Sequence, residues 1–343
     1  MRTPTPSVFI RGLGAYKPSR RLTNEDLSKI VETNDEWIRT RSGISERRVA
    51  APDETPDVLG AKAAAAAIEN ARISPQDIDL IIVATISNDT PVPSCACRIQ
   101  TAVGLRPGIP AFDIVAACSG FIYLLQIANH MLRAGDYRNA LIIAAERLTG
   151  VTDWTDRSTC VLFGDGAGAA VVSRCDVPYV GILGNVLGAD GAKGDLLSVK
   201  PRDVPAPPPP PGLTVGANIV RMTGKEVFKN AVRVMSQACR GVLEKCGATA
   251  GDVSLIIPHQ ANMRIIDAIA GELEQPLEKF KINLDRFGNT SAASIPLALE
   301  EAWTEGRIRP GDLVLLVAFG GGFTWGATLI RWWQPEDAAN VAQ

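Results

Sequence analysis

The sequence predicts an α/β protein made of two similar halves. Segments with helical spacing of apolar residues alternate with short apolar runs that are typical of buried strands. In addition, residues 71–83 resemble residues 248–258, and residues 163–172 resemble residues 319–330. Two matched pairs in the same order favour an internal duplication over a chance similarity of two α/β units.

The duplication also predicts the domain organisation. We expect an N-terminal half at residues 1–179 and a C-terminal half at residues 180–343, which meet near residues 177–181. Two similar lobes that face each other leave room for a site between them. The functional residues should therefore come from both halves.

Individual elements follow from local signals. Thr55 is a capping residue and Pro56 suits the first helical position, so a helix should begin there and continue to about Asn70. Apolar, β-branched runs predict buried strands, and 3.6-residue periodicity predicts helices. On these grounds we expect strands at residues 80–85 and 140–145, and helices at residues 122–133 and 234–246.

Composition narrows the possible functions. The 343 residues are 46% hydrophobic and 21% charged, and 35 basic against 37 acidic residues give a net charge of −2. This balance predicts neither general nucleic-acid binding nor membrane binding. Residues 1–16 lack the features of a signal peptide, and no apolar run approaches the roughly 18 residues of a spanning helix. We therefore expect a cytoplasmic protein.

The seven cysteines are odd in number and irregularly spaced, which predicts reduced, mostly buried thiols. Cys95 and Cys97 could form half of a metal site. However, the chain has only two histidines and no second cysteine pair of that spacing, so we expect no metal site.

Residues 204–212 are too rich in proline for a helix or an inner strand. We favour a stiff surface loop in polyproline geometry, and a partner-recognition motif is the alternative.

The run at residues 111–117 has the pattern of an apolar strand that leads directly into Cys118, and a helical pattern follows. A cysteine on such a turn lies at a helix N-terminus, where free N–H groups favour the thiolate. Its small neighbours Ala117, Ser119 and Gly120 allow a sharp turn and a close approach of substrate. The alternative is a buried structural cysteine.

His259 and Asn289 are the other candidates for catalysis. His259 ends an apolar strand, which is where sites of α/β proteins gather, whereas His130 lies in the middle of a helix and is expected to be structural. Asn289 precedes a run of small residues that opens a helix reaching about Glu305, so it could also be a helix cap.

The third feature is the run Gly320-Gly321-Gly322 between two strand patterns. Glycines let backbone N–H groups approach a ligand closely, as an oxyanion hole requires. A tight hairpin without a ligand is the alternative.

Taken together and in this order, these segments resemble the β-ketoacyl-acyl-carrier-protein synthase III family of the thiolase superfamily. The resemblance covers nearly the whole chain, and its most specific strings are His-Gln-Ala-Asn at 259–262 and Gly-Asn-Thr-Ser-Ala-Ala-Ser at 288–294. It also includes residues 34–44 and 156–168. The resemblance implies a thiolase-like fold, in which two duplicated lobes form five layers, αβαβα.

Related families fit less well. Thiolases use a second catalytic cysteine in the C-terminal half, whereas Cys239 and Cys246 lie on a predicted helix far from the Gly321 region. Synthases that elongate long chains use two histidines, and here Asn289 occupies the second place. Enzymes similar to chalcone synthase carry a Gly-Phe-Gly-Pro-Gly string, which is absent.

The resemblance implies that Cys118 is acylated by an acyl-CoA and then condensed with malonyl-acyl carrier protein, with loss of CO₂. His259 and Asn289 would donate hydrogen bonds to the malonyl thioester, and the N–H groups of Cys118 and Gly321 would form the oxyanion hole. No metal or redox cofactor is expected.

The resemblance also implies binding residues. Trp37 would stack on the adenine of CoA with Arg41 and Arg157 nearby, and Asn262 would lie along the pantetheine arm. Arg264 and Lys229 match positions proposed to dock the acidic carrier protein. Gly271-Glu272 departs from members that carry lysines there.

Phe163 and Phe319 would line the acyl pocket. Val92 stands where well-known members carry a phenylalanine that reaches into the other subunit's pocket, so the resemblance implies a homodimer. A valine there predicts a roomier pocket that accepts primers beyond acetyl.

Initiation of fatty acid synthesis is the leading interpretation. The same chemistry in polyketide priming or alkylquinolone-type synthesis is the first alternative. A non-catalytic partner subunit is the second, but such subunits usually lose the active-site residues that this chain retains.

Overall fold

The computed structural model describes residues 6–203, 205 and 209–337. Thirteen strands and ten helices lie in this part of the chain. The strands are β1 Ser7–Tyr16, β2 Arg20–Thr23, β3 Glu46–Val49, β4 Leu80–Ala84, β5 Ala111–Ile114, β6 Asn139–Arg147, β7 Asp165–Cys175, β8 Gly181–Ala189, β9 Leu197–Pro201, β10 Asn218–Met222, β11 Leu255–Pro258, β12 Leu313–Gly320 and β13 Thr324–Arg331. The helices are α1 Asn24–Ser28, α2 Asp35–Ser42, α3 Pro56–Ala71, α4 Cys95–Ala102, α5 Gly120–Ala134, α6 Arg157–Cys160, α7 Gly224–Lys245, α8 Met263–Glu272, α9 Leu284–Phe287 and α10 Ser294–Thr304.

The strand order is repeated in two main sheets. The first sheet has the order β1-β7-β6-β4-β5, with antiparallel pairs up to β6 and parallel pairs beyond it. The second has the order β8-β13-β12-β11 with the same succession of antiparallel and parallel pairs. A single parallel bridge between Ile256 and Phe280 stands where the second sheet would have its fifth strand. The repeated order bears out the predicted duplicated α/β fold.

Five layers follow from how the elements bury their apolar faces. Helices α5 and α10 lie between the sheets, where Phe121 and Ile295 pack with strand residues of both halves such as Ile142 and Leu316. Helices α3 and α4 cover the outer face of the first sheet, and α7 and α8 cover the outer face of the second. The predicted αβαβα arrangement is therefore confirmed.

The outer helix α3 packs unusually close to the first sheet. A Cβ atom on Gly14 of β1 would lie 2.2 Å from the Ala63 carbonyl oxygen, so only glycine permits this approach. The alanine-rich helix has the small side chains that such packing requires. The helix spans the predicted residues, although the Thr55 hydroxyl bonds to the Asp57 carboxylate rather than to a backbone N–H.

The predicted strands and helices are found near the expected positions, with one large difference. Helix α7 begins at Gly224, ten residues before the predicted start at residue 234. Its buried positions Val227, Ala231 and Val234 continue one apolar face through that first part.

Two predictions on organisation stay predictions. The proposed division after residue 179 falls between β7, which ends at Cys175, and β8, which begins at Gly181. Of the proline-rich segment 204–212, residues 204 and 206–208 lie outside the described residues.

Within the described part of the chain, no helix is long and apolar enough to cross a membrane.

Candidate active site

Cys118 lies in a short turn, Ala117–Ser119, between β5 and α5. Ala117 has φ +44°, a left-handed conformation that makes the turn sharp. The Gly-rich turn after β12 packs directly against it, since a Cβ atom on Gly320 would lie 2.5 Å from the Cys118 nitrogen. The side chain of Cys118 is buried, and it reaches the cavity between the lobes.

Burial raises the pKa of the Cys118 thiol to about 12, although the Ser291 side chain and the cysteine's own backbone N–H lower it somewhat. The sequence predicted the opposite direction, because it placed Cys118 at a helix N-terminus. Burial takes the thiolate out of water, and this loss of hydration is the largest cause of the shift. The resting site therefore holds a thiol rather than a thiolate.

Gly321 is the next residue of the Gly-rich turn and lines the cavity. A Cβ atom on Gly321 would lie 2.8 Å from the Leu197 carbonyl oxygen and 3.7 Å from the Ala117 Cβ. The turn thus lies beside the Cys118 turn, as an oxyanion hole made from both would require. The sequence analysis named Gly320 only as part of the glycine run, although its backbone makes the closest approach to Cys118.

His259 follows directly after β11 and is 3% exposed. Its backbone N–H donates to the Val317 carbonyl of β12 at 2.8 Å, and its Nδ1 lies 2.7 Å from the Ser294 hydroxyl. Burial lowers the pKa of the imidazole to about 3. The ring is therefore neutral at physiological pH, with one nitrogen as a donor and the other as an acceptor.

The backbone N–H and carbonyl of Asn289 both form hydrogen bonds with the segment at residues 162–164. Its N–H donates to the Leu162 carbonyl at 2.8 Å, and its carbonyl accepts from the Gly164 N–H at 3.0 Å. Its side-chain Oδ1 accepts from the Ser291 N–H at 2.8 Å. Asn289 is therefore not the cap of α10, whose N-cap position is Ala293, and its oxygen bonds within the turn that precedes the helix. The amide nitrogen is left for a ligand.

These residues meet in one cavity of about 1190 Å³. Its walls combine residues from both sides of residue 179, as a site between two lobes would require. The predicted site residues that line it are Cys118, His259, Asn289, Gly321, Phe163, Phe319, Trp37, Arg41, Asn262 and Arg264.

At the outer end of the cavity, the Trp37 ring lies close to two guanidinium groups. The Cζ atoms of Arg41 and Arg157 lie 5.0 and 4.8 Å from the ring centroid, within cation–π range. Arg157 also donates to the Glu32 carbonyl at 2.8 Å. The residues predicted to bind the adenine are therefore together in the free protein.

Asn262 has a structural role that the sequence did not show. Its Oδ1 caps α8 by accepting from the Arg264 N–H at 2.9 Å, and its Nδ2 donates to the Arg41 carbonyl at 2.9 Å. The carboxamide thus ties α8 to α2 at the cavity wall. Lys229 is exposed on α7 outside the cavity wall, one turn from Lys225, which lines the cavity.

Val92 does not line the cavity of its own chain, and its side chain is 83% exposed. Its assignment to the pocket of a second subunit stays a prediction. Phe163 and Phe319 are buried in the cavity wall, and the Phe319 ring packs edge-on against Phe323 at 4.7 Å between centroids.

Sequence reasoning missed Glu146, a fully buried carboxyl at the end of β6. It accepts hydrogen bonds from the Ser87 hydroxyl at 2.5 Å and the Ile86 N–H at 3.2 Å. Burial raises its pKa to about 7, against the effect of these bonds and of Ser291. An acidic residue directly after an apolar strand was the signal that could have identified it.

A thiol, a neutral imidazole and an amide donor beside a glycine turn suit acyl transfer and stabilisation of a thioester enolate. Set in a duplicated five-layer fold, they define a condensing enzyme of the thiolase type.

Comparisons with known proteins identify the family. Residues 112–191 match the family model described as 3-Oxoacyl-[acyl-carrier-protein (ACP)] synthase III, and residues 243–332 match the model of its C-terminal part. The chain is 50% identical to the beta-ketoacyl-[acyl-carrier-protein] synthase III of Roseiflexus castenholzii, over 94% of this chain and 97% of that protein.

Solved structures agree. The 3-oxoacyl-[acyl-carrier-protein] synthase III of Aquifex aeolicus is 49% identical with a TM-score of 0.88, covering 95% of this chain and 100% of that one. The priming β-ketosynthase of the R1128 polyketide pathway is 36% identical with a TM-score of 0.87, covering 97% and 98%. The chain belongs to the β-ketoacyl-acyl-carrier-protein synthase III family of condensing acyltransferases.

Proposed function

We propose that this protein joins an acyl-CoA primer to malonyl-acyl carrier protein and so initiates fatty acid synthesis. The observation that carries the proposal is that Cys118, His259 and Asn289 line one cavity, with one nucleophile and two neutral donors. The high identity to named synthases over almost the whole chain supports the same reaction.

In the first step, the Cys118 sulfur attacks the carbonyl carbon of the acyl-CoA thioester, and the proton that the thiol gives up is the one that the leaving CoA thiolate gains. The N–H groups of Cys118 and Gly321 stabilise the oxyanion. The tetrahedral intermediate then expels CoA, which takes up a proton and leaves as the free thiol. The acyl group stays on Cys118 as a thioester.

In the second step, the malonyl thioester enters and its carbonyl oxygen accepts hydrogen bonds from His259 and Asn289. Departure of CO₂ leaves an electron pair on the α-carbon, and the donors stabilise the enolate that results. The carbanion attacks the acyl carbon and expels the Cys118 sulfur, which is reprotonated. Neutral donors suit this step because decarboxylation, not a base, generates the carbanion.

The CoA moiety would bind along the outer part of the cavity. The Trp37 ring offers a face for the adenine, and Arg41 and Arg157 already lie over that ring. Binding of the adenine would then replace one of the two cation–π contacts. The base would stack between the Trp37 ring and a guanidinium group. Asn262 lines the same cavity as Trp37 and Cys118, and the pantetheine arm would lie against it.

The carrier protein would dock at the cavity opening. Arg264 lines the cavity and is exposed, and Lys229 is exposed on the adjacent α7. Two cations there attract an acidic partner and raise its association rate.

A homodimer is part of the same proposal. Val92 and Val115 are large apolar side chains that are 83% and 80% exposed in the single chain, and a second copy would cover them. The cytoplasmic location stays a prediction from the sequence.

The test is intact-protein mass spectrometry after exposure to acyl-CoAs from acetyl to long and branched chains, with Cys118→Ala as control. The proposal predicts an adduct of acetyl or short branched primers that is absent in the variant, followed by a 3-ketoacyl product on addition of malonyl-acyl carrier protein. Acylation by long or aromatic primers alone would indicate polyketide priming or another specialised pathway. Absence of any adduct would contradict the catalytic function.

A further inference from the structure

Ser294, the first residue of α10, bonds to the catalytic histidine and to the residue after it. Its side chain is 1% exposed, and its Oγ lies 2.7 Å from His259 Nδ1 and 3.3 Å from the Gln260 backbone nitrogen. A backbone N–H can only donate. The Ser294 oxygen therefore accepts from Gln260, and the direction of its second bond depends on its own proton.

Gln260 holds this geometry in place. Its buried carboxamide donates to the carbonyls of Pro258 and Lys281, at 2.8 and 3.1 Å, and accepts from the Asn283 N–H at 2.9 Å. Every side-chain group of Gln260 is thus engaged with the surrounding backbone. The peptide that points its N–H at Ser294 has little freedom to turn away.

The hydroxyl proton of Ser294 has one acceptor in this arrangement. Among residues 6–203, 205 and 209–337, the structure records no hydrogen bond of this hydroxyl other than those with His259 and Gln260. If His259 carried its proton on Nδ1, Ser294 would accept two bonds and its own buried proton would have no partner. A buried donor without an acceptor is costly, so the arrangement favours donation from Ser294 to Nδ1.

We propose that Ser294 is a positioning residue that holds His259 in the tautomer with its proton on Nε2. Nδ1 is directed at α10, so Nε2 is the nitrogen left for the cavity that His259 lines. This tautomer supplies the N–H that the malonyl thioester needs, and the inference deepens the proposed function on which it rests. The other tautomer would present a lone pair to the thioester oxygen and repel it.

The second donor is oriented by the same device. The Ser291 N–H occupies the oxygen of the Asn289 carboxamide at 2.8 Å, which leaves its NH₂ group for the ligand. Ser291 begins the short turn that precedes α10, and Ser294 is the first residue of that helix. One short segment thus engages the acceptor atom of each catalytic side chain and leaves the donor free.

Nitrogen NMR of the free protein tests the tautomer directly. The chain has two histidines, so ¹⁵N-histidine labelling gives two ring patterns, and His130→Gln assigns them. His130 is exposed on α5, where its Nδ1 lies 2.9 Å from the Gln126 carbonyl of the same helix. We expect His259 to show protonated Nε2 and unprotonated Nδ1 in the unsubstituted protein, and protonated Nδ1 would overturn the proposal.

Substitution of Ser294 tests its role in selecting the tautomer. In Ser294→Ala we expect a mixture of both tautomers, and an unchanged Nε2–H pattern would overturn the assignment to Ser294. Ser236→Ala is the matched control, because Ser236 is also a buried helical serine but its hydroxyl has no recorded partner among the described residues. That variant should keep the tautomer of the unsubstituted protein.

The half-reactions separate positioning from a general structural effect. Ser294→Ala should lower malonyl decarboxylation by about 10–100-fold while Cys118 acylation changes by less than about threefold. Equal losses in both half-reactions would mean that Ser294 only supports the fold. The tautomer is measured in the free protein, so its test does not depend on the test of the proposed function. If no acyl-CoA acylates Cys118, the proposed function fails even where the NMR result is as expected.

Discussion

The side-chain oxygen of Asn289 accepts a hydrogen bond of 2.8 Å from the backbone N–H of Ser291. Ser291 has φ +49°, so the turn that carries this N–H is sharp, as is the turn at Ala117 in the other half. Since the oxygen is engaged, the amide nitrogen is the only part of Asn289 available to polarise a thioester. The duplicated fold thus places the Cys118 thiol at one turn and the Asn289 carboxamide at the other.

This orientation predicts the effect of Asn289→Asp, which keeps the acceptor for Ser291 but removes the donor. We expect malonyl decarboxylation to fall by about 10²–10³-fold, as when an oxyanion donor is removed. Acylation of Cys118 should change by less than about threefold. The measurement is release of labelled CO₂ beside mass spectrometry of the acyl-enzyme, and a parallel loss of both activities would contradict the assigned role.

The Cys118 thiol should react slowly with a reagent that has no binding site. Burial raises its pKa to about 12, so at pH 7 almost all molecules carry the neutral thiol. We expect alkylation by iodoacetamide to increase about tenfold per pH unit between pH 7 and 9, because only the thiolate reacts. Peptide mapping with Cys118→Ala as control separates this site from the other six cysteines. A rate that is already constant from pH 7 would show a thiolate in the resting protein.

Local sequence patterns predicted where Cys118, His259 and Asn289 lie in the fold. Each of them comes directly after a strand or a turn, and that element is recognisable from neighbouring residues in the sequence. The same patterns did not predict the direction of the Cys118 pKa shift, since the burial that causes it comes from both halves. The role of Ser294 was also missed, because its contact with His259 depends on the fold. This serine lies 35 residues from His259, and nothing near it in the sequence indicates that contact.

The loop that leads to Asn289 should depend on Glu301. This carboxylate accepts two bonds from Arg286, at 2.7 and 2.9 Å, and one from Asn283 at 3.1 Å, and it pairs with buried Lys281 at 3.1 Å. We expect Glu301→Gln to lower the free energy of unfolding by about 2 kcal/mol at pH 7, because hydrogen bonds to charged groups are lost. Urea unfolding would measure the difference.

The pH dependence of that difference follows from the Glu301 pKa. Burial raises it, but the bonds from Arg286 and Lys281 outweigh burial and hold it at about 2, below the ordinary 4.5. The stabilisation is therefore fully present above pH 4.5 and is lost as pH falls towards 2. We expect the gap between Glu301→Gln and the unsubstituted protein to shrink over that range, and a constant gap would contradict the ionic contribution.

Glu146 should show the opposite pH dependence. Burial raises its pKa from 4.5 to about 7, so the folded protein retains a proton that the unfolded chain loses between these values. The folded state is thus destabilised as pH rises from 4.5 to 7, by up to roughly 3 kcal/mol. Relative to the unsubstituted protein, Glu146→Gln should gain stability over this range. Chemical unfolding at several pH values would measure it, and a difference that does not change with pH would contradict the raised pKa.

Val92 provides the last prediction, since it is 83% exposed and outside the cavity of its own chain. If a second copy covers it, Val92→Phe should narrow the primers accepted by the partner's site towards acetyl, because the larger ring would fill that pocket. The unsubstituted protein should accept longer primers, and strict selectivity for acetyl-CoA would contradict the roomier pocket.

Hybrid dimers identify which active site Val92 affects. One chain would carry both Val92→Phe and Cys118→Ala, and the other would be unsubstituted, so that only the unsubstituted chain can be acylated. We expect mass spectrometry to show the narrowed primer range on that intact Cys118. A matched hybrid with Cys118→Ala alone should keep the broad range. If Val92→Phe acts only when it is in the same chain as the reacting cysteine, Val92 shapes its own cavity through the backbone. A shared pocket would then be wrong, and primer selectivity would be a property of each chain alone.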